Sequence, residues 1–234
     1  MADWKIEREG DVAIVSLDDG KANALLVPEF QGLEKTLDEV EKAGALSVVL
    51  TGRPGFFSAG LNLKVLGTMN LDQKKELVAA MGSAVLKLFT FSRPVVAAVS
   101  GHALGGGAML ALASDIRIIA DGAFRFGLNE VQVGLFVPSY AIELARSAIS
   151  ASRLTDLVMH GRVVTPMEAL NMHIAEAVHS PEALRTAAMM RARELAKLAG
   201  TGYSITKKLV RGPSAELARA KIPGELETLA SMLG

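Results

Sequence analysis

Ser100-Gly101-His102-Ala103-Leu104-Gly105-Gly106-Gly107-Ala108-Met109-Leu110 is the stretch on which the rest of the chain turns. Before it, residues 94–99 are short, apolar and β-branched, which reads as a buried strand. After it, residues 108–113 read as a helix. Between them, three consecutive glycines remove every Cβ that would hold a ligand away from the backbone. A helix opening there leaves its first N–H groups unpaired, and such a terminus attracts negative charge. The stretch is therefore expected to hold an anion, either a fixed phosphate or an oxyanion formed during a reaction.

Working outward, Trp4–Glu9 and Val12–Leu17 flank Gly10-Asp11 and read as a hairpin with a two-residue turn. Residues 18–24 form a loop. Residues 27–41 place Phe30, Leu33, Leu37 and Val40 at helical spacing. A strand is expected at 46–50 and a glycine- and proline-rich loop at 51–60. A long helix over 71–91 puts Leu77, Met81, Val85 and Leu88 on one face, and Ile116–Ala120 is another strand. This alternation argues for an α/β layer architecture. Beyond Glu130 the pattern turns helical, at 141–149, 151–160, 166–172, 181–198, 201–210 and 216–233, with one strand at 174–178. The expected division is a core over 1–178 and a helical region over 179–234.

Composition excludes several classes. Half of the 234 residues are apolar, enough for a substantial core. Basic and acidic residues number 25 each, so no net charge draws the chain to nucleic acid or an acidic membrane surface. Cysteine is absent, which removes disulfides, a thiol nucleophile and Cys-ligated metal. His102, His160, His173 and His179 lack metal-ligand spacing. The start, Met-Ala-Asp-Trp-Lys, has no signal pattern, and the most apolar window is broken by Ser100, His102 and the glycines. The expectation is a cytoplasmic protein with no membrane span.

The usual phosphate motifs fail. A P-loop needs Gly-Lys-Ser/Thr after its glycines, but Gly107 is followed by Ala108 and Met109; the dinucleotide spacing G-x-G-x-x-G is also missing. Ser100 has Ala98 where a nucleophile elbow needs glycine. What remains is a second loop, Phe57-Ser58-Ala59-Gly60-Leu61-Asn62-Leu63, which also follows a strand. Ligands of parallel sheets sit beyond the carboxyl ends of strands. One backbone N–H from each loop is thus expected to reach the same oxygen.

That loop, Gly101 to Gly107, and Ala113-Ser114-Asp115-Ile116-Arg117 together resemble the enoyl-CoA hydratase/isomerase family, the crotonases. The resemblance implies a spiral of ββα units with a C-terminal helical trimerisation region, and a homotrimer or dimer of trimers. It implies an acyl-CoA thioester as substrate, coenzyme A being part of that substrate and no separate cofactor or metal being needed. By motif position the oxyanion hole is the N–H groups of Leu61 and Gly106. Ala22, Ala24 and Ala59 fall where the family holds adenine and pantetheine. Ser58, Asn62, Leu63, Leu104, Met109, Asn129 and Glu130 complete the substrate contacts. Lys21 and Lys64 lie in loops near the expected CoA phosphates.

Family hydratases use two glutamates. One position is Glu130; the other is here Met109, whose thioether is at most a weak acceptor. Moving a double bond needs only one base, and a single carboxylate in an apolar pocket has its basicity raised by desolvation. Arg53-Pro54-Gly55-Phe56-Phe57 and Gly127-Leu128-Asn129-Glu130-Val131-Gln132-Val133-Gly134 are similar to the mitochondrial-type 3,2-enoyl-CoA isomerases, whose sole acid/base matches Glu130. The expected reaction is conversion of a 3-enoyl-CoA to the 2-enoyl-CoA. Hydration, thioester hydrolysis and a non-catalytic acyl-CoA binder are the alternatives. Phe126, Leu135, Phe136, Val137, Pro138 and Tyr140 line the acyl pocket or belong to the core. His102 touches substrate or is structural. Asp115 and Asp121 are read as structural.

Overall fold

The structure is a computed structural model that describes residues 4–233; Met1 to Asp3 and Gly234 lie outside the described residues. In chain order the strands are β1 (Trp4–Glu9), β2 (Val12–Leu17), β3 (Ala24–Leu25), β4 (Ser47–Thr51), β5 (Gly55–Ser58), β6 (Gly60–Leu61), β7 (Val95–Val99), β8 (Gly101–Leu104), β9 (Ile116–Ala120), β10 (Phe126–Gly127) and β11 (Ala177–His179). The helices are α1 (Val27–Lys42), α2 (Leu63–Leu66), α3 (Leu71–Phe89), α4 (Gly106–Ala113), α5 (Ser139–Ala148), α6 (Ala151–Leu154), α7 (Pro166–Asn171), α8 (Pro181–Ala196) and α9 (Thr201–Leu233).

Each turn of the chain sends one strand to a large sheet and the next to a smaller one. The six-stranded sheet runs β1-β2-β4-β7-β9-β11, parallel except for the β1–β2 hairpin. The smaller sheets are β10-β8-β5 and β3-β6. This is the spiral of ββα units expected from the family resemblance. A parallel sheet must be covered on both faces, and side chains alternate between them. Val12, Ile14, Val49, Val96, Ala98 and Ile118 face α8, against Leu184, Ala188, Met189 and Ala192. Ala13, Val15, Val48, Leu50, Ala97 and Val99 face the main core with α1, α3 and α4.

Local sequence explains the helices that build this core. In α1, Glu29 Oε2 accepts from Leu26 N at 3.0 Å, closing the first turn. Phe30, Leu33, Leu37 and Val40 are then buried on one face, each gaining about 1.5–3 kcal/mol over exposure. α4 is buried along its whole length, which is why residues 106–113 carry no charge.

Three expectations change. The loop expected at 51–60 holds β5 and the first residue of β6, and Ser100 leads into the additional strand β8. These strands are glycine-punctuated because they stack closely, so they lack the apolar run that betrays β7. Second, 201–210 and 216–233 belong to one helix, α9, which passes through Pro213 and Pro223. Tertiary anchors override the local preference for a break. Lys207 and Arg211 both bind Asp115, at 2.7 and 3.1 Å, and Ala215, Ala218 and Leu229 are buried. Third, the division after residue 178 falls inside β11, and α8 covers one face of the main sheet. Among the described residues no helix is long and apolar enough to cross a membrane.

Candidate active site

Two stretches of backbone meet at Gly60. Its φ is +82°, and a Cβ there would fall 2.5 Å from Leu104 O and 3.1 Å from Gly106 N. Only glycine lets β6 run this close to the turn after β8. Gly105, at φ +51°, then swings the chain so that α4 begins at Gly106. As the first helical residue, Gly106 has no acceptor within α4 for its N–H. On the other segment, Asn62 N donates to Leu25 O at 3.4 Å. Successive strand N–H groups alternate in direction, so the Leu61 N–H points away from β3. Leu61 and Gly106 line one cavity of about 500 Å³.

Hydrogen bonds beneath the surface hold the loop in shape. Ser58 Oγ donates to Asn23 O at 2.7 Å and accepts from Gly60 N at 3.1 Å. The buried Asn23 amide donates to Leu17 O, Phe56 O and Phe57 O. Ala22 O accepts from Ala59 N at 2.9 Å, and Ala24 pairs with Gly60 across β3–β6. Asn62 caps α2 by accepting from Val65 N at 3.2 Å. A bulge between Phe56 and Ser58 bends β5 against β8, a device common next to active sites.

Glu130 arrives over the glycine turn by strand pairing. β10 lies parallel to β8, with Gly127 opposite Leu104, and Gly105 N donates to Gly127 O at 3.0 Å. Three residues later a single 3₁₀ turn, Glu130–Val133, begins and closes at Gly134. Glu130 Oε1 sits 3.3 Å from where a Cβ on Gly105 would be. Its Oε2 is buried and without a partner among the described residues. Burial pushes the carboxyl up from 4.5 to about 7, only partly offset by a bond from its own backbone N–H.

The cavity brings together Ala59, Leu61, Leu63, Leu104, Gly106, Met109, Asn129 and Glu130 from the residues expected at the site. Ala22, Ala24, Ser58 and Asn62 do not line it; they shape the loop beside it. Leu135, Phe136 and Pro138 line the wall, whereas Phe126 and Tyr140 are core. Tyr140 is fully buried, its hydroxyl donating to Val78 O at 3.3 Å, and burial raises its pKa. His102 is structural: its ring packs between Phe56 and Phe124, and Nδ1 accepts from Arg125 N at 3.2 Å. Lys21 and Lys64 are exposed and outside the lining. Asp115 pairs with α9 and accepts from Val95 N at 2.7 Å.

Sequence reasoning did not place Leu66, Lys74, Val78 or Leu229 at the cavity. The helical face holding Leu77 and Met81 was visible, and Lys74 and Val78 share its spacing. Leu229 carries no local signal; only the docking of α9 brings it there.

Two N–H donors on adjoining backbone can hold an oxygen on which charge develops, each worth about 3–4 kcal/mol. The positive end of α4 acts in the same direction. A desolvated carboxylate poised near neutral pH can take and return a proton.

The alternating strands and paired glycine loops define a crotonase-fold protein. The family model described as Enoyl-CoA hydratase/isomerase matches residues 7–232. This chain belongs to that family of enzymes. It is 31% identical to the short-chain-enoyl-CoA hydratase of Clostridium acetobutylicum, over 88% of this chain and 74% of that one. An enoyl-CoA hydratase/isomerase family protein from Pseudomonas syringae superimposes with a TM-score of 0.91 at 31% identity, over 97% of each chain. Human mitochondrial delta3-delta2-enoyl-CoA isomerase superimposes with a TM-score of 0.90 at 25% identity, over 99% of this chain and 92% of that chain. Hydratase is the commoner name among the sequence relatives.

Proposed function

We propose that this enzyme moves the double bond of a 3-enoyl-CoA into conjugation, giving the 2-enoyl-CoA. The observation that carries this reading is the cavity's acid inventory: among its lining residues Glu130 is the only carboxylate, and Met109 lines it at the position where the family resemblance implies a hydratase's second glutamate. The thioester oxygen binds the Leu61 and Gly106 N–H groups. Glu130, as carboxylate, takes a proton from C2, and the electron pair moves onto the oxygen as a dienolate. The same carboxyl group then returns the proton to C4, leaving the C2–C3 double bond. Desolvation suits Glu130 to both halves, because a group titrating near neutrality gives and takes a proton with similar ease.

The human isomerase's structural match supports this reading; the prevalence of hydratase names favours hydration as the second. The two separate in one assay. Purified enzyme receives 3-enoyl-CoA and, separately, 2-enoyl-CoA, with product thioesters followed chromatographically. Isomerisation of the first with negligible water addition to the second is expected; the opposite pattern establishes hydration, and binding without turnover of either establishes a carrier. Exposed apolar side chains such as Met159, Leu209 and Val210 support the homotrimer that the family resemblance implies, which sedimentation measures.

A further inference from the structure

The cavity holds a second ionisable side chain that the proton shuttle leaves unused. Lys74, Leu77, Val78 and Met81 all line it, from one face of α3. Met81 marks the oxyanion end, its Sδ 3.6 Å from where a Cβ on Gly106 would be. Lys74 lies two helical turns back, about 10 Å along the axis, with Leu77 and Val78 between. An apolar wall thus separates an oxyanion site from a cation.

Among the described residues that cation has no counter-charge within ion-pair distance. The residues three and four positions away, Asn70, Leu71, Leu77 and Val78, are not acidic. Asp72 and Glu76, two positions away, face elsewhere on a helix. Among the described residues the Lys74 ammonium makes no ion pair or hydrogen bond, whereas that of Lys87 on the same helix binds Asp38 Oδ1 at 2.7 Å and Glu34 O at 2.9 Å. Lys74 also sits in the second turn of α3, close to the end whose dipole disfavours positive charge. A half-buried lysine on the wall of a largely apolar chamber offers its ammonium to an anion that enters there.

We propose that Lys74 receives a carboxylate at the far end of the acyl group, so that the preferred substrate is an enoyl-CoA of short to medium length bearing a terminal carboxylate. This rests on the acyl-CoA reading above. Two sources of anion are conceivable, the acyl terminus and a CoA phosphate. The lining favours the first. Of the residues that the family resemblance assigns to the CoA arm, Ala59 lines the cavity while Ala22 and Ala24 stay outside it; Lys74 shares its wall with the apolar side chains of α3. The leucine and valine between the two polar ends suit methylenes.

The test is calorimetric binding of hexanoyl-CoA, adipoyl-CoA and free CoA to wild type, Lys74→Met and Lys74→Arg. Hexanoyl and adipoyl groups have the same length and differ in the terminal carboxylate. Wild type should bind adipoyl-CoA about 5- to 10-fold more tightly than hexanoyl-CoA, as one charge-assisted contact allows. Lys74→Met should abolish that preference and leave hexanoyl-CoA within twofold, Lys74→Arg should keep most of it, and added salt should shrink it. Equal losses for all three ligands in Lys74→Met would instead assign Lys74 to a CoA phosphate and overturn the proposal. Wild type binding the two acyl-CoAs equally would also overturn it while leaving the acyl-CoA reading intact. Failure to bind either acyl-CoA would refute that underlying reading, and the proposal with it.

Discussion

Replacing Glu130 with glutamine should stabilise the fold while removing activity. The side chain is buried, Oε2 has no partner among the described residues, and burial raises the pKa from 4.5 to about 7. A displacement of about 2.5 pH units is worth about 3 kcal/mol once the group is fully ionised. The sign follows from proton uptake. Between pH 4.5 and 7 the folded state holds the Glu130 proton more tightly than the unfolded chain does. The carboxyl's contribution to stability is therefore most favourable below pH 4.5, falls as pH rises through 7, and is constant above. Glutamine removes this loss but buries an amide that costs about 1–2 kcal/mol of its own. A net gain of about 1–2 kcal/mol at pH 8 remains, raising Tm by about 2–8 °C for a chain of this size. At pH 4.5 the gain should vanish. Thermal unfolding followed by circular dichroism at both pH values, with turnover of 3-enoyl-CoA measured alongside, reads both effects. Turnover should fall about 10²–10⁴-fold. If the variant is no more stable relative to wild type at pH 8 than at pH 4.5, the carboxyl is not desolvated and the basis for its raised pKa is wrong.

Wild-type kcat/KM should rise with pH through about 7 and level off, because proton abstraction needs the ionised Glu130; a profile flat from pH 5 to 9 would exclude it as the base. Gly60→Ala places a Cβ 2.5 Å from Leu104 O at φ +82°. It should cost about 1–3 kcal/mol of stability in denaturant titration and, by parting the two N–H donors, lower kcat at least about 10²-fold. Asp115→Asn leaves Lys207 and Arg211 without their anion between β9 and α9. Equilibrium unfolding should show a loss of about 3–5 kcal/mol, with α9 the first segment to gain hydrogen exchange.

The parts of the fold written in periodic apolar spacing were legible. Phe30, Leu33, Leu37 and Val40 announced α1, and the β-branched runs announced β4, β7 and β9. Where backbone packs on backbone, the same sequence looks like loop: a Cβ on Gly101 would fall 2.0 Å from Gly55 C and one on Gly52 2.4 Å from Phe56 O, so β5 and β8 hide among turn residues. Pro213 and Pro223 mislead in the other direction, because Asp115, Ser139 and the core grip α9 on both sides of them. Glu225 Oε1 accepts from Ser139 N at 2.7 Å, one turn before Leu229 reaches the cavity. At the site, the two glycine loops could be named because each follows a strand, and Glu130 because the family resemblance points to it. Lys74 and Leu229 could not, since only tertiary packing turns those helix faces toward the cavity.

The central claim, one carboxylate moving one proton between two carbons, is tested by a 3-enoyl-CoA carrying deuterium at C2. The products of brief turnover in ordinary water, analysed by mass spectrometry and NMR, should include 2-enoyl-CoA with part of the label at C4, and that transfer should disappear in Glu130→Gln. A product in which the label is wholly lost to solvent, or one dominated by 3-hydroxyacyl-CoA, would contradict a single shielded shuttle.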